Sequence, residues 1–71
     1  MGVPLSFLKP GESGLVTRIG GKPEMRKHLE DLGFVVGTPI TVVSKMGDNV
    51  ICSVKDCRVA ISKELAQRIS V

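Results

Sequence analysis

The sequence predicts a mainly β fold: a small barrel of about five short strands, with one α-helix inserted between the first and second strands. Three observations carry that expectation. Short clusters of Val, Ile, Leu and Thr recur at close spacing and are separated by Gly, Pro and Asx turn signals. Helical periodicity is sustained in one place only, where Met25, Leu29 and Leu32 fall at i, i+4 and i+7 and share a stripe. The chain has 71 residues, which makes residues 1–71 one domain. Five short strands joined by tight hairpins are best satisfied by a closed barrel, which also removes exposed strand edges.

In chain order, Pro4 to Pro10 holds Leu5 and Leu8 at i, i+3, one helical turn that can plug the core, before the turn Lys9-Pro10-Gly11. Gly14 to Ile19 reads as the first strand and ends at Gly20-Gly21. The helix follows. Pro23 suits its first position, where a missing N–H costs nothing, and Glu24 complements the dipole in the first turn. Gly33 stands just past the last apolar position, where a left-handed cap needs a residue without a Cβ. Phe34, Val35 and Val36 give an apolar run that Gly37 breaks.

Thr38 to Ser44 is the second strand, with Pro39 confining its first residues to a strand start or sheet edge. Met46-Gly47-Asp48-Asn49 is a hairpin turn. Val50, Cys52 and Val54 alternate onto one face of the third strand, with Ile51 and Ser53 on the other. Lys55-Asp56 turns the chain again, and Arg58 to Ile61 pairs back as the fourth strand. Ser62 can cap a helical turn containing Lys63, Glu64, Leu65 and Ala66. Gln67 to Val71 closes as the last strand, Ile69 and Val71 facing inward.

Composition narrows the class. The chain is 42% hydrophobic with two aromatic residues, Phe7 and Phe34, so the core must be aliphatic. That apolar content excludes disorder. No apolar run approaches a bilayer span and the N-terminus shows no basic-then-apolar signal pattern, so a cytoplasmic location is expected. Cys52 and Cys57 would sit diagonally across a hairpin, beyond comfortable disulfide reach, and read as reduced thiols, with Cys52 in the core. The formal charge is +3, and Arg18, Lys22, Arg26 and Lys27 against Glu24 account for all of it. The excess therefore lies on the loop into the helix and on the helix's exposed face: either an ordinary solvated face or a docking face for an acidic partner.

Catalytic patterns are missing. The one histidine, His28, lies on the helix; no Ser or Cys nucleophile constellation, phosphate-binding loop or paired carboxylate set accompanies it. The chain reads as a non-enzyme without a cofactor. Glu24 and His28 at i, i+4 could face one ion, but two ligands do not hold a metal, so no metal site is assigned. Nucleic-acid-binding barrels place aromatics among basic residues on a strand face, and here both phenylalanines fall outside the central strands.

Three segments resemble the ferrous iron transport protein A (FeoA) family. Leu5-x-x-Leu8-x-Pro10-Gly11-Glu12-x-Gly14-x-Val16 is similar to that family's opening, and Leu29-x-x-Leu32-Gly33-Phe34-x-x-Gly37-x-x-Ile40 to its central motif. Val59-Ala60-Ile61, with Glu64, Ala66, Ile69 and Val71 behind it, resembles its end. The likeness covers nearly the whole chain, in order. Two departures stand out: Val36 where the family commonly has proline, and Asp56 where it commonly has glycine.

The resemblance implies an SH3-like barrel with a helical insertion, and a cytoplasmic accessory role in bacterial ferrous iron uptake. The implied partner is the membrane ferrous iron permease with its cytoplasmic GTPase domain, which the chain would bind and modulate, reaching the membrane only through that partner. Self-association is compatible with this role, and nucleic acid is not an expected partner. The same barrel type forms the last domain of iron-dependent repressors, so a metal-sensing domain of that kind is the alternative, with a nucleic-acid-binding barrel behind it. The residues expected to contact the permease are Arg26 and Lys27, beside the buried helical stripe, with Phe34 and Val35 beyond the helix end; for Phe34, packing in the core is an equal alternative.

Overall fold

Residues 39–62 form the centre of the fold, a three-strand meander whose hairpins lie where the turn residues place them. The computed structural model describes residues 2–71. A 3-10 turn at Leu5–Phe7 is followed by β1 (Ser13–Leu15), β2 (Arg18–Ile19), α1 (Pro23–Asp31), β3 (Pro39–Met46), β4 (Asn49–Val54), β5 (Cys57–Ser62), α2 (Lys63–Gln67) and β6 (Ile69–Ser70). One antiparallel sheet has the order β1-β3-β4-β5, and β2 pairs with β6 in a second. The barrel is mainly β and SH3-like, as its sequence predicts, with two differences: it has six strands, and it is not fully closed, since β5 is paired on one side only and keeps a strand edge.

The expected first strand, Gly14 to Ile19, is two strands. Ser13–Leu15 pairs with β3, whereas Arg18 and Ile19 pair with Ser70 and Ile69. Between them the chain changes sheets: Val16 N–H donates to the Thr38 carbonyl, and Thr17 N–H donates to the Ser70 carbonyl. The strand bends at this corner because Val16 fills the core, 1% exposed, while its neighbours Leu15 and Thr17 face out. Alternation within one six-residue run cannot show which partner each half will find. The helix therefore lies between β2 and β3.

The core is Leu5, Val16, Leu29, Phe34, Ile40, Val42, Val50, Cys52, Val54, Ile61, Ala66 and Ile69. The inward face of β4 is Val50, Cys52 and Val54, as their alternation predicts. Pro39 opens β3, where its missing N–H is harmless. Lys55 and Asp56 have φ of 49° and 65°, the double left-handed turn of a two-residue hairpin, which an Asp side chain tolerates better than most. Ser62 caps α2, its Oγ accepting from the Leu65 N–H at 3.3 Å.

The end of α1 is tied down by two crossed hydrogen bonds. Gly33 N–H donates to the Glu30 carbonyl at 2.9 Å, and Phe34 N–H donates to the Leu29 carbonyl at 3.0 Å. This is the Schellman closure, with Gly33 at φ 108° and the side chains of Leu29 and Phe34 packed together in the core. The closure turns Phe34 inward, so its ring is 0% exposed and cannot be the surface contact expected of it. Immediately afterwards Val35–Thr38 forms a turn, the Thr38 N–H donating to the Val35 carbonyl at 2.9 Å. Gly37 at its third position has φ 92°, which identifies a type II turn with Val36 at the position proline favours.

The two thiols are unbonded, Cys52 buried and Cys57 exposed. Cys52 pairs across the hairpin with Val59 and Cys57 with Val54, the diagonal offset that its sequence spacing implies. Burial pushes the Cys52 thiol from 9.0 up to about 11.

Four outcomes follow from this architecture. Gly33→Ala should lower stability by about 2 kcal/mol in denaturant unfolding, because a Cβ at φ 108° is strained and would meet Val54 Cγ1 at 3.0 Å. Val36→Pro should raise stability by about 0.5–1 kcal/mol, since the Val36 N–H has no backbone acceptor among the described residues and the ring presets φ. A thiol reagent should label Cys57 alone in the folded protein and both cysteines in denaturant. Because the folded Cys52 pKa lies above its unfolded value, the stability gained from keeping this thiol neutral is complete below pH 9.0 and lost as pH rises toward about 11. Cys52→Ala should lose that component of the alkaline destabilisation.

Candidate partner-docking site

Helix α1 buries one narrow stripe and leaves the rest to solvent. Leu29 is 0% exposed and Met25 and Leu32 are half-buried, whereas Arg26, Lys27 and His28 are exposed. Lys22 precedes the helix and supplies no side-chain cap, and Pro23 occupies the first turn. Arg18 and Lys22, on either side of the Gly20-Gly21 loop, are also exposed. The cationic residues singled out by charge counting therefore lie in solvent on one segment and its approach.

A further cation joins them from the far end of the chain. Gly20 N–H donates to the Arg68 carbonyl at 2.7 Å, and the Arg68 Cδ lies 3.4 Å from where a Cβ on Gly21 would stand. The same space is bordered by the Met25 sulfur at 3.4 Å. Arg68 thus lies against the loop into α1. Nothing local in the sequence signals this, because the approach is made by pairing of β2 with β6 across 50 residues of chain.

After the helix end the chain exposes apolar side chains. Val35 is 39% and Val36 62% exposed on the turn after the helix, and the turn runs directly into Pro39, which is exposed. Pro39 is the cross-strand neighbour of Leu15, itself 56% exposed. Gly37 N–H donates to the Val16 carbonyl at 2.7 Å, which fixes the turn against the residue following Leu15. Of the four residues expected to contact a partner, Arg26, Lys27 and Val35 are thus on the surface and Phe34 is not. Phe34 acts indirectly, anchoring the turn that presents Val35 and Val36. Val36 and Leu15 escape sequence reasoning because an apolar residue in a short apolar run carries no sign of which way it points.

His28 and Glu24 are both exposed on α1, and among the described residues no three His, Cys, Asp or Glu side chains gather into a set able to hold a metal ion. No helix of the described residues is long and apolar enough to cross a membrane.

Comparison with known proteins gives this geometry a family. The model of the FeoA domain matches residues 3–71. A Porphyromonas gingivalis Fe(2+) transport protein A/Fe(2+) transporter FeoB fusion protein is 35% identical over 69 residues, covering 94% of this chain, which spans 8% of that protein's length. A putative Fe(2+) transport protein A of Methanocaldococcus jannaschii is 32% identical over 68 residues, covering 96% of this chain and 83% of that protein. The crystal structure of an iron uptake regulatory protein (FeoA) superposes with a TM-score of 0.92 at 42% identity, covering 100% of this chain and 95% of that one. With the three sequence segments, the barrel and its inserted helix all agreeing, the chain belongs to the FeoA family.

Proposed function

We propose that this chain is a non-enzymatic accessory of ferrous iron uptake that binds the cytoplasmic, GTPase-bearing part of a membrane iron permease and modulates transport. The observation that carries this reading is the surface after α1: exposed Val35 and Val36 on a rigid turn, with Arg26 and Lys27 exposed on the helix before it. An apolar centre with a cationic border is the usual anatomy of a specific protein interface. The family membership supports a role in iron transport, and the fusion in the Porphyromonas gingivalis relative supports association with a FeoB transporter, since it joins the two in one polypeptide. The reading places residues 1–71 as one module on the cytoplasmic side, reaching the membrane only through its partner.

The contact set proposed is Arg26, Lys27 and Val35, extended to Val36 and Leu15. Charge steers the encounter and the valines provide the desolvated contact.

Titration of the domain against the GTPase portion of its own organism's permease, and against the complete permease in detergent, tests the reading. Saturable binding to either is expected, and it should weaken as salt is raised. Arg26→Glu combined with Lys27→Glu should weaken it at least about tenfold, and Val36→Asp by a similar factor, with thermal stability nearly unchanged because these side chains are in solvent. Unchanged affinity in both variants would remove this face from the interface, and absence of binding to both preparations at high micromolar concentration would overturn the permease reading itself.

A further inference from the structure

A buried hydroxyl without a partner stands at one end of the barrel. Ser6, in the middle of the 3-10 turn, is 8% exposed, and among the described residues its Oγ makes no hydrogen bond. Leu5 beside it is 0% exposed in the core, which holds the turn down and Ser6 with it. An unpaired buried hydroxyl costs stability that an alanine would not. In a folded protein such a group is met by an ordered water or by a ligand.

The surroundings of Ser6 favour a ligand with negative charge. Ser6 borders a cavity of about 150 Å³ that is also lined by Lys45, Asp48, Asn49 and Lys63. Lys45 reaches it through a bulge. The pairing of β3 with β4 shifts register between Val42 and Ser44, so Lys45 stands opposite the core residue Val50 instead of alternating outward. Its Nζ donates to the Ser6 carbonyl at 2.9 Å, which uses one of the three donors of an ammonium. Lys63 is fixed at the start of α2, where its N–H donates to the Asp48 carbonyl at 2.7 Å. Two ammonium groups, the Asn49 carboxamide and the Ser6 hydroxyl make the lining rich in donors. Two lysines against the one aspartate leave it a formal charge of +1.

We propose that this cavity binds a small oxyanion, a phosphate or carboxylate group, held by the Ser6 hydroxyl, the Lys45 and Lys63 ammonium groups and the Asn49 carboxamide. The anion supplies the acceptor that the chain denies to Ser6 Oγ, and its bonds to the two lysines are charge-assisted. The cavity is smaller than the roughly 300–1,000 Å³ that drug-sized ligands occupy, so a single small group enters it. A wider cleft of about 430 Å³ shares Asp48 and Lys63 with it and has room for the remainder of a larger molecule. The Glu64 carboxylate in that cleft disfavours a second negative charge, so the ligand carries its charge at one end. The site uses none of Leu15, Arg26, Lys27, Val35 or Val36 and is separate from the proposed permease surface.

Residue-resolved NMR titration of the chain with inorganic phosphate and, separately, with acetate, at constant ionic strength made up with chloride, tests the site. Saturable shifts centred on the Ser6, Lys45, Asn49 and Lys63 amides are expected with at least one anion, and the tighter of the two identifies the group as phosphoryl or carboxylate. Ser6→Ala should raise the melting temperature without ligand by about 4–8 °C, because it removes an unpaired buried hydroxyl and keeps the shape. The same variant should weaken anion binding at least about fivefold. Lys45→Met and Lys63→Met, which keep an apolar stem and remove the charge, should each weaken it at least about tenfold. Lys63 is exposed on the first turn of α2, so its variant leaves the barrel interior untouched and covers the case in which the Lys45 variant does not fold. Absence of saturable shifts with both anions at tens of millimolar would overturn the proposal. So would shifts centred on Arg18 to Lys27, or unchanged affinity in Ser6→Ala and Lys63→Met. A lower melting temperature for Ser6→Ala would overturn it as well, since an ordered water would then be the partner of the hydroxyl.

Discussion

The closure of α1 onto the core is the constraint on which the rest of the molecule depends. Two crossed hydrogen bonds, from Gly33 to Glu30 and from Phe34 to Leu29, end the helix and turn the chain in one step. They hold Leu29 and Phe34 together in the core, and Phe34 is the largest fully buried side chain. A nine-residue helix has little stability of its own in water, so α1 persists because this stripe is buried. The turn that follows the fixed helix end, held by the Thr38 N–H on the Val35 carbonyl and the Gly37 N–H on the Val16 carbonyl, exposes Val35 and Val36. The surface proposed to meet a partner is therefore a consequence of how the helix ends.

A second constraint joins the two sheets. Val16 and Thr17 carry the chain from one sheet to the other, bonding respectively to Thr38 and Ser70. The corner brings the end of the chain beside its first third, and with it Arg68 beside the loop into α1. A core without tryptophan or tyrosine has few large side chains to enclose, and the change of sheet lets aliphatic residues from β2 to β6, with Val16 at the corner, join Phe34 in one core. The 3-10 turn at Leu5–Phe7 seals one side, with Leu5 inserted and the Ser6 carbonyl accepting from the Lys45 ammonium at 2.9 Å.

The surface is divided by chemistry. Around α1 and the turn after it lie cations and apolar side chains, suited to a partner recognised through side chains. Around Ser6, at one end of the barrel, hydrogen-bond donors line a small cavity suited to one anionic group. One site is defined by what the residues are and the other by where the chain goes, since the bulge in β3 turns Lys45 toward Ser6. A barrel this small leaves an edge at β5 because the chain departs into α2 after Ser62, so β6 pairs with β2 and not with β5.

Much of this was legible in the residues. The period of Met25, Leu29 and Leu32, Gly33 behind them, Pro23 ahead, the Gly-Asp and Lys-Asp turns, the alternation through Val54 and the Ser62 cap all act over a few positions, so local sequence by itself determined the helix, both hairpins and the inward face of β4. The positive segment around Arg18 to Lys27 was legible for the same reason, since charge so placed seldom enters a core. Only the tertiary structure decided the direction of Phe34, the break after Leu15, the arrival of Arg68 and the open edge of β5. Each of these depends on which distant segment a residue meets: Phe34 could serve equally as anchor or as core until Leu29 accepted its N–H, and nothing about Ala60 tells that no strand lies beside it. Local periodicity reports a residue's neighbours in sequence, whereas burial and pairing are settled by chain closure over tens of residues.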